Sequence, residues 1–171
     1  DVEMTFVDGE VIEKIPDAGL LDDNNPGYGY VRAIREIGTR LYVCGLSGQV
    51  YRRDEQGWSH FDQGLLQPVD DIDKAVDALK TGDDGFLDDI FDSIMSLSDI
   101  NGINESDIYT VGDKGRIYHH DGNAWSQISS PVDENLVRIK CVSEKEVWIC
   151  GGNGALLLGN WRDGFKDVSS V

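Results

Sequence analysis

The sequence predicts an all-β fold in which a unit of four short antiparallel strands repeats along the chain, with a helical hairpin inserted between two of the units. Three observations lead to this prediction. Three stretches of the chain align on the pattern G-x-x-G, each with β-rich runs on both sides. An aromatic residue follows the second glycine of every copy by ten or eleven positions. The first glycines of the second and third copies, Gly112 and Gly151, are 39 residues apart, a spacing that suits one four-stranded unit.

The strands within a unit follow from its glycines and apolar runs. The aligned copies are RLYVCGLSGQVYRRDEQGWSHF (40–61), DIYTVGDKGRIYHHDGNAWSQI (107–128) and EVWICGGNGALLLGNWRDGFKDV (146–168). The G-x-x-G pattern predicts a tight hairpin between the second and third strands, because glycine accepts a positive φ without a steric clash. A polar turn then leads into the fourth strand. The predicted units are a partial unit at 1–16 and full units at 31–66, 97–130 and 136–171.

The aromatic residues of the repeat predict how neighbouring units pack. Four of them recur in register and are expected in the core between units: Trp58, Trp125, Trp148 and Phe165. Trp161 lies out of register, in the enlarged turn of the third copy, and is expected to be exposed.

The helical hairpin is predicted from a break in the spacing. From Gly45 to Gly112 is 67 residues, which exceeds the 39-residue repeat by 28 and places an insertion at 68–95. Within it, two apolar sets recur at helical spacing. Their members are Val69, Ile72, Val76 and Leu79 in the first set, and Phe86, Leu87, Ile90, Phe91 and Ile94 in the second. Thr81 and Gly82 suit the end of one helix, and Asp83 or Asp84 suits the start of the next.

With its G-x-x-G turn and following aromatic, the repeat resembles the BNR/YVTN-like β-propeller repeats, the group that includes photosystem-assembly factors and Asp-box proteins. The resemblance covers residues 1–65 and 98–171. It implies β-propeller blades, about three and a half of them in this chain. Because propellers close with four to eight blades, it further implies that more blades or a second copy of the chain complete the ring.

The sequence lacks the residue patterns of common catalytic and metal sites, so no enzyme, metal or other cofactor is predicted. G-x-x-G leads into a strand rather than into the helix that a phosphate loop requires. His119 and His120 are adjacent on a strand and point to opposite faces, so they are expected to be polar outer-strand residues rather than joint metal ligands. The Asp-rich insertion lacks the glycine and glutamate of a calcium loop.

The composition is strongly acidic. The 171 residues include 32 acidic and 15 basic ones, for a net charge of −17. This balance argues against a nucleic-acid partner and favours a basic protein partner. No apolar run is long enough for a membrane span. The three cysteines, an odd number, favour buried free thiols in a reducing compartment, which predicts a cytoplasmic location. The chain begins with Asp1, which leaves open whether a signal peptide was removed.

Most of the negative charge is predicted to lie on one side of the fold, where connections between units meet the G-x-x-G turns. The insertion contributes −7, the connection 16–30 contributes −3 and the connection 130–135 contributes −2. Tyr28 and Tyr30 lie in the first connection and could anchor a partner. The candidate partner-binding residues are Asp22, Asp23, Tyr28, Tyr30, Asp70, Asp71, Asp73, Asp77, Asp83, Asp84, Asp88, Asp89 and Trp161.

These observations favour a non-enzymatic protein–protein interaction module with an acidic binding face. Its most concrete form is a bacterial immunity-type inhibitor that neutralises a basic toxin, and an assembly or adaptor scaffold is a second form. The alternative is an Asp-box-like propeller that binds or hydrolyses glycans. A third interpretation is that the charge serves solubility alone.

Overall fold

The chain is all-β in the computed structural model, which describes residues 2–6, 9–15, 17–19, 27–68 and 93–169. An N-terminal hairpin consists of β1 (Val2–Phe6) and β2 (Gly9–Glu13). The first sheet contains β3 (Val31–Ile37), β4 (Arg40–Gly45), β5 (Val50–Asp54) and β6 (Gly57–His60). The second contains β7 (Leu97–Asn104), β8 (Asp107–Gly112), β9 (Ile117–His120) and β10 (Trp125–Ile128). The third contains β11 (Leu136–Ser143), β12 (Glu146–Gly151), β13 (Leu156–Asn160) and β14 (Gly164–Asp167).

Each four-stranded sheet is an antiparallel meander in which consecutive strands pair. The turn between the second and third strands has the same backbone in all three sheets. The second glycine of each G-x-x-G pattern has a positive φ; these glycines are Gly48, Gly115 and Gly154. The residue before each of them also has a positive φ. Two consecutive positive φ values twist a two-residue turn in the direction that the paired strands require.

The first glycine of each pattern is needed for a different reason. A Cβ built on Gly45 would lie 2.2 Å from the carbonyl oxygen of Tyr30, and one on Gly112 would lie 2.1 Å from that of Ser96. Both oxygens belong to the residue that precedes the first strand of the sheet, so the backbones of the first and second strands approach too closely there for any side chain. The pattern therefore combines one close backbone contact with one tight turn.

The three sheets pack face to face in chain order, and the segment that follows the hairpin lies against the first sheet. One hydrophobic cluster lies between the hairpin region and the first sheet, a second between the first and second sheets, and a third between the second and third sheets. The aromatic side chain at the start of a fourth strand reaches back to the preceding layer. The indole Nε1 of Trp125 donates a hydrogen bond to the carbonyl oxygen of Phe61 at 2.7 Å, and that of Trp58 donates to Glu13 at 2.9 Å. Phe165 packs edge-on against Tyr109.

The predicted β-propeller is wrong. The described residues form three separate four-stranded sheets and a hairpin, and they do not close into a ring. Among them, no hydrophobic cluster joins the third sheet back to the first sheet or to the hairpin, and Val142 on the third sheet is exposed. The repeat pattern determines the strands and turns of one unit, whereas closure depends on the number of units and the angle between successive sheets. The inference that more blades or a second copy complete a ring loses its basis.

The predicted helical hairpin at 68–95 is not part of the fold that the structure describes. Residues 69–92 lie outside the described residues, and helical backbone among the described residues is limited to Ser93 and a short 3-10 turn at Gly152–Gly154. In the described part of the chain, no helix is long and apolar enough to cross a membrane.

His119 and His120 are buried, which corrects the expectation of polar outer positions. They face opposite sides of the second sheet, and each side is covered by a neighbouring sheet. The ring of His119 stacks on Trp161 of the third sheet, with centroids 4.8 Å apart, while His120 packs against Phe61 at the end of the first sheet.

Candidate partner-binding surfaces

The acidic members of the predicted site cannot be placed. Ten of the thirteen candidate residues lie outside the described residues: Asp22, Asp23, Asp70, Asp71, Asp73, Asp77, Asp83, Asp84, Asp88 and Asp89. The other three, Tyr28, Tyr30 and Trp161, lie within the described residues, and their positions show whether they share one surface.

One end of the three sheets carries both the G-x-x-G turns and the connections between sheets, and we call it the connection side. The amide of Gln67 donates to the carbonyl oxygen of Ser47 at 2.8 Å, which ties the segment after the first sheet to the first turn. The amide of Gly115 donates to Glu134 at 2.9 Å and ties the second turn to the next connection. The side-chain amide of Gln49 donates to the carbonyl oxygens of Tyr28 and Gly29, which holds the connection that carries the two tyrosines.

The three described candidates do not form one site. Tyr30 is 59% exposed on the connection side. Tyr28 is half-buried with its ring edge-on to His60, and burial raises the pKa of its hydroxyl. Trp161 lies in the turn between β13 and β14, at the opposite end of the sheets, where Arg162 covers its ring. Trp161 is 39% exposed, as expected, but it is too remote to share a contact patch with Tyr30.

A second surface, which the sequence reasoning missed, is formed by the first strands of the sheets. Strands β3, β7 and β11 lie side by side, and we call their exposed faces the first-strand surface. Two cavities of about 510 Å³ each open on it and share Arg138 as a lining residue. One also contains Arg35 and Lys140, and the other contains Arg32.

Exposed apolar side chains concentrate at this surface. Of the seven large hydrophobic residues that are exposed in the described part of the chain, five lie on β3 or β11 or directly before β3. They are Tyr30, Val31, Ile34, Val137 and Val142. A sequence signal exists in hindsight, because β3 and β11 both contain the dipeptide Val-Arg near their starts, at 31–32 and 137–138.

A buried carboxylate holds the three first strands together. The side chain of Asp99 on β7 is 1% exposed and lies 3.0 Å from the guanidinium of Arg35 on β3. It also accepts hydrogen bonds from the amide of Ile139 on β11 at 3.1 Å and from the amide of Ile100 at 3.0 Å. Because these partners come from all three strands, Asp99 sets the shape of the first-strand surface.

The buried pair of His119 and Asp107 has the surroundings of a packing group. His119 lies 2.8 Å from the carboxylate of Asp107 and is enclosed by the rings of Tyr109 and Trp161, so a substrate has no access to it. Burial lowers the pKa of His119 despite this carboxylate. Among the described residues, no group of three or more histidine, cysteine or acidic side chains is placed to hold a metal ion.

The three cysteines are free. Cys44 and Cys141 are buried, and burial raises the pKa of each thiol to about 12. Cys150 is exposed, so the expectation of buried thiols holds for two of the three.

Comparison with known proteins reveals a similarity to an immune protein. No protein-family model matches the chain. The chain is 31% identical over 148 residues to the immune protein Tsi7 of Pseudomonas aeruginosa. The match covers 86% of this chain and 41% of that protein, so the chain spans less than half the length of the relative that it resembles.

Proposed function

We propose that this chain acts in toxin immunity, by binding a toxin and blocking it rather than by catalysis. The observation that carries the proposal is the 31% identity to the immune protein Tsi7 across most of the chain. The two surfaces support it, because they offer exposed anchors and concentrated charge, which are features of protein recognition. The enclosed His119–Asp107 pair offers no competing catalytic centre.

We propose further that the toxin is basic and meets the connection side. The net charge of −17 would speed the approach of a basic partner. The sequence assigns −12 of this charge to the segments that join the units, and Glu134 is tied to the connection side by its backbone. Tyr30, with 59% of its surface exposed, supplies an aromatic anchor on the connection side. The free state of all three thiols suits the reducing cytoplasm as the place of action.

The first test is protection in living cells. A candidate toxin, encoded beside the gene for this chain, is expressed in a bacterial host with and without the chain. Growth that is arrested by the toxin alone and restored by co-expression supports immunity. A toxin that forms no complex with the chain and kills equally in its presence contradicts it, whereas a complex that leaves the toxin active favours the adaptor alternative.

The second test concerns the acidic connection. The nine aspartates between residues 69 and 92 are changed to asparagine, which keeps the length of the segment and removes its negative charge. Association with the toxin should slow about tenfold or more at about 0.05 M salt, and the difference should shrink at about 0.5 M salt, where the charges are screened. An unchanged association rate would show that this segment does not attract the toxin.

A further inference from the structure

The first-strand surface carries cations that form no ion pair within the described part of the chain. Arg32, Arg138 and Lys140 line its two cavities, and among the described residues no ion pair involves any of them. In a chain with 32 acidic and 15 basic residues, most cations have acidic neighbours available. Glu36 and Asp99 line the first cavity and Asp113 lines the second, so the cations outnumber the carboxylates by three to two and by two to one. Both linings are therefore net positive in a molecule that is strongly acidic.

Two of the three carboxylates that line the cavities, Asp99 and Asp113, already have partners. Asp113 pairs with Arg116 at 2.6 Å, and Glu36, the third, is exposed. The carboxylate of Asp99 is buried, contacts Arg35 and accepts two backbone hydrogen bonds. Arg138 donates to the carbonyl oxygen of its own neighbour Val137 at 2.8 Å, which leaves most of its donors free. The surface can thus offer charged hydrogen-bond donors to an outside carboxylate without breaking an internal pair.

The surroundings of the cations indicate a peptide rather than a small anion. Val31, Ile34 and Val137 are exposed beside them. Exposed apolar side chains add nothing to the binding of a phosphate or a free carboxylate, but they provide contact area for the apolar side chains of a protein segment. Positive charge in the cavities and exposed apolar side chains on the same strands together suit a segment in which acidic and apolar residues are mixed.

We propose that the first-strand surface binds an acidic, partly apolar segment of the toxin, so that one partner is held by two surfaces of opposite charge. Naming the toxin as the occupant rests on the proposed function. Tyr30 lies where the surfaces meet: it directly precedes β3, and its carbonyl oxygen accepts a hydrogen bond from Leu46 in the first G-x-x-G turn. A partner anchored at Tyr30 contacts both surfaces. Opposite charges on either side of the anchor fix its orientation, because the reversed pose brings like charges together.

The total charge of −17 does not prevent this contact. At physiological salt, exposed charges more than about 8 Å apart are largely screened, so a docked carboxylate responds mainly to the cations in the cavities. The long-range attraction of a basic toxin and the local binding of its acidic segment therefore act at different distances.

The proposal is tested with an unrelated probe first. A fluorescein-labelled peptide of repeated Ser-Glu-Leu is titrated with the chain and followed by fluorescence anisotropy. The double variant Arg138→Gln, Lys140→Gln should bind at least about tenfold more weakly. The matched control, Lys145→Gln with Lys166→Gln, removes the same charge from exposed positions off the first strands and should bind within about twofold of the original chain.

Each other outcome overturns a stated part of the proposal. Failure of the original chain to bind the peptide, or equal binding by the double variant, refutes the surface as an acidic-peptide site. Competition by inorganic phosphate at the same concentration as the peptide refutes the peptide in favour of a small anion. If the chain protects cells from the toxin and the double variant protects equally and binds the toxin equally, the toxin is not the occupant, although immunity stands. If the chain fails to protect at all, immunity fails, and the peptide titration still decides the surface.

Discussion

Replacing Asp99 with alanine should destabilise the fold by about 4 kcal/mol, because one carboxylate joins three strands. The change leaves the buried amides of Ile100 and Ile139 without an acceptor, at about 1–3 kcal/mol each. It also removes the pair with Arg35, which is 39% exposed and therefore contributes only about 1 kcal/mol after solvent screening. Asparagine keeps one acceptor oxygen, so Asp99→Asn should cost roughly half as much.

The measurement is urea unfolding followed by tryptophan fluorescence, with the free energy of unfolding extrapolated to water. Glu144→Ala provides the control, because the Glu144 carboxylate pairs with Arg162 at 3.7 Å where both side chains are more than half exposed. That variant should lie within about 0.5 kcal/mol of the original chain. A loss below about 1 kcal/mol for Asp99→Ala would refute the argument that this carboxylate joins the first strands.

Three further predictions follow from buried groups. Burial lowers the pKa of His119 in the folded chain below the value of 6.5 that applies to the unfolded chain. As the pH falls, the unfolded chain therefore takes up the proton first. The stability that neutral His119 contributes is complete above about pH 6.5 and is lost as the pH falls through the lower pKa of the folded state. Urea midpoints at about pH 7.5 and about pH 5 should therefore differ less in His119→Phe than in the original chain. A thiol reagent should modify Cys150 alone in the folded chain and all three cysteines in urea, and rapid modification of a second thiol would contradict the observed burial. Trp125→Phe removes the indole hydrogen bond to Phe61 and should lower the unfolding free energy by about 1–2 kcal/mol, whereas no loss would show that this bond does not join the first two sheets.

The local structure of each unit was predictable from sequence, because its determinants are close together in the chain. Gly48, Gly115 and Gly154 all adopt the positive φ that the turn requires, so a four-residue pattern was enough to predict the turn. The arrangement of whole sheets was not predictable in the same way. A repeat pattern does not determine how many sheets pack together or whether the last sheet contacts the first. The propeller prediction was wrong on this point.

Burial between sheets was also beyond the sequence pattern. His119 and His120 alternate as strand residues do, and in an isolated sheet one of them would face water. Both are buried because the second sheet has a neighbour on each side. Likewise, the unpaired state of Arg138 and Lys140 depends on the partners that the folded chain brings near them.

The repeat pattern and the proposed first-strand binding surface therefore lie on different strands of the unit. The glycines, the turn and the packing aromatic belong to the second, third and fourth strands, and these are the positions that recur in all three copies. The first strand makes close backbone contact with the second at Gly45, Gly112 and Gly151. It is an edge strand of its own sheet, so it has a neighbouring strand of that sheet on one side only. Its exposed side chains can change without disturbing the packing between sheets, and in this chain β3 and β11 present valine and arginine at those positions. An interface that must match one particular partner is best placed on side chains that the fold leaves exposed, so the exposed residues of β3 and β11, rather than their buried ones or the turns, are the ones to vary in tests of specificity.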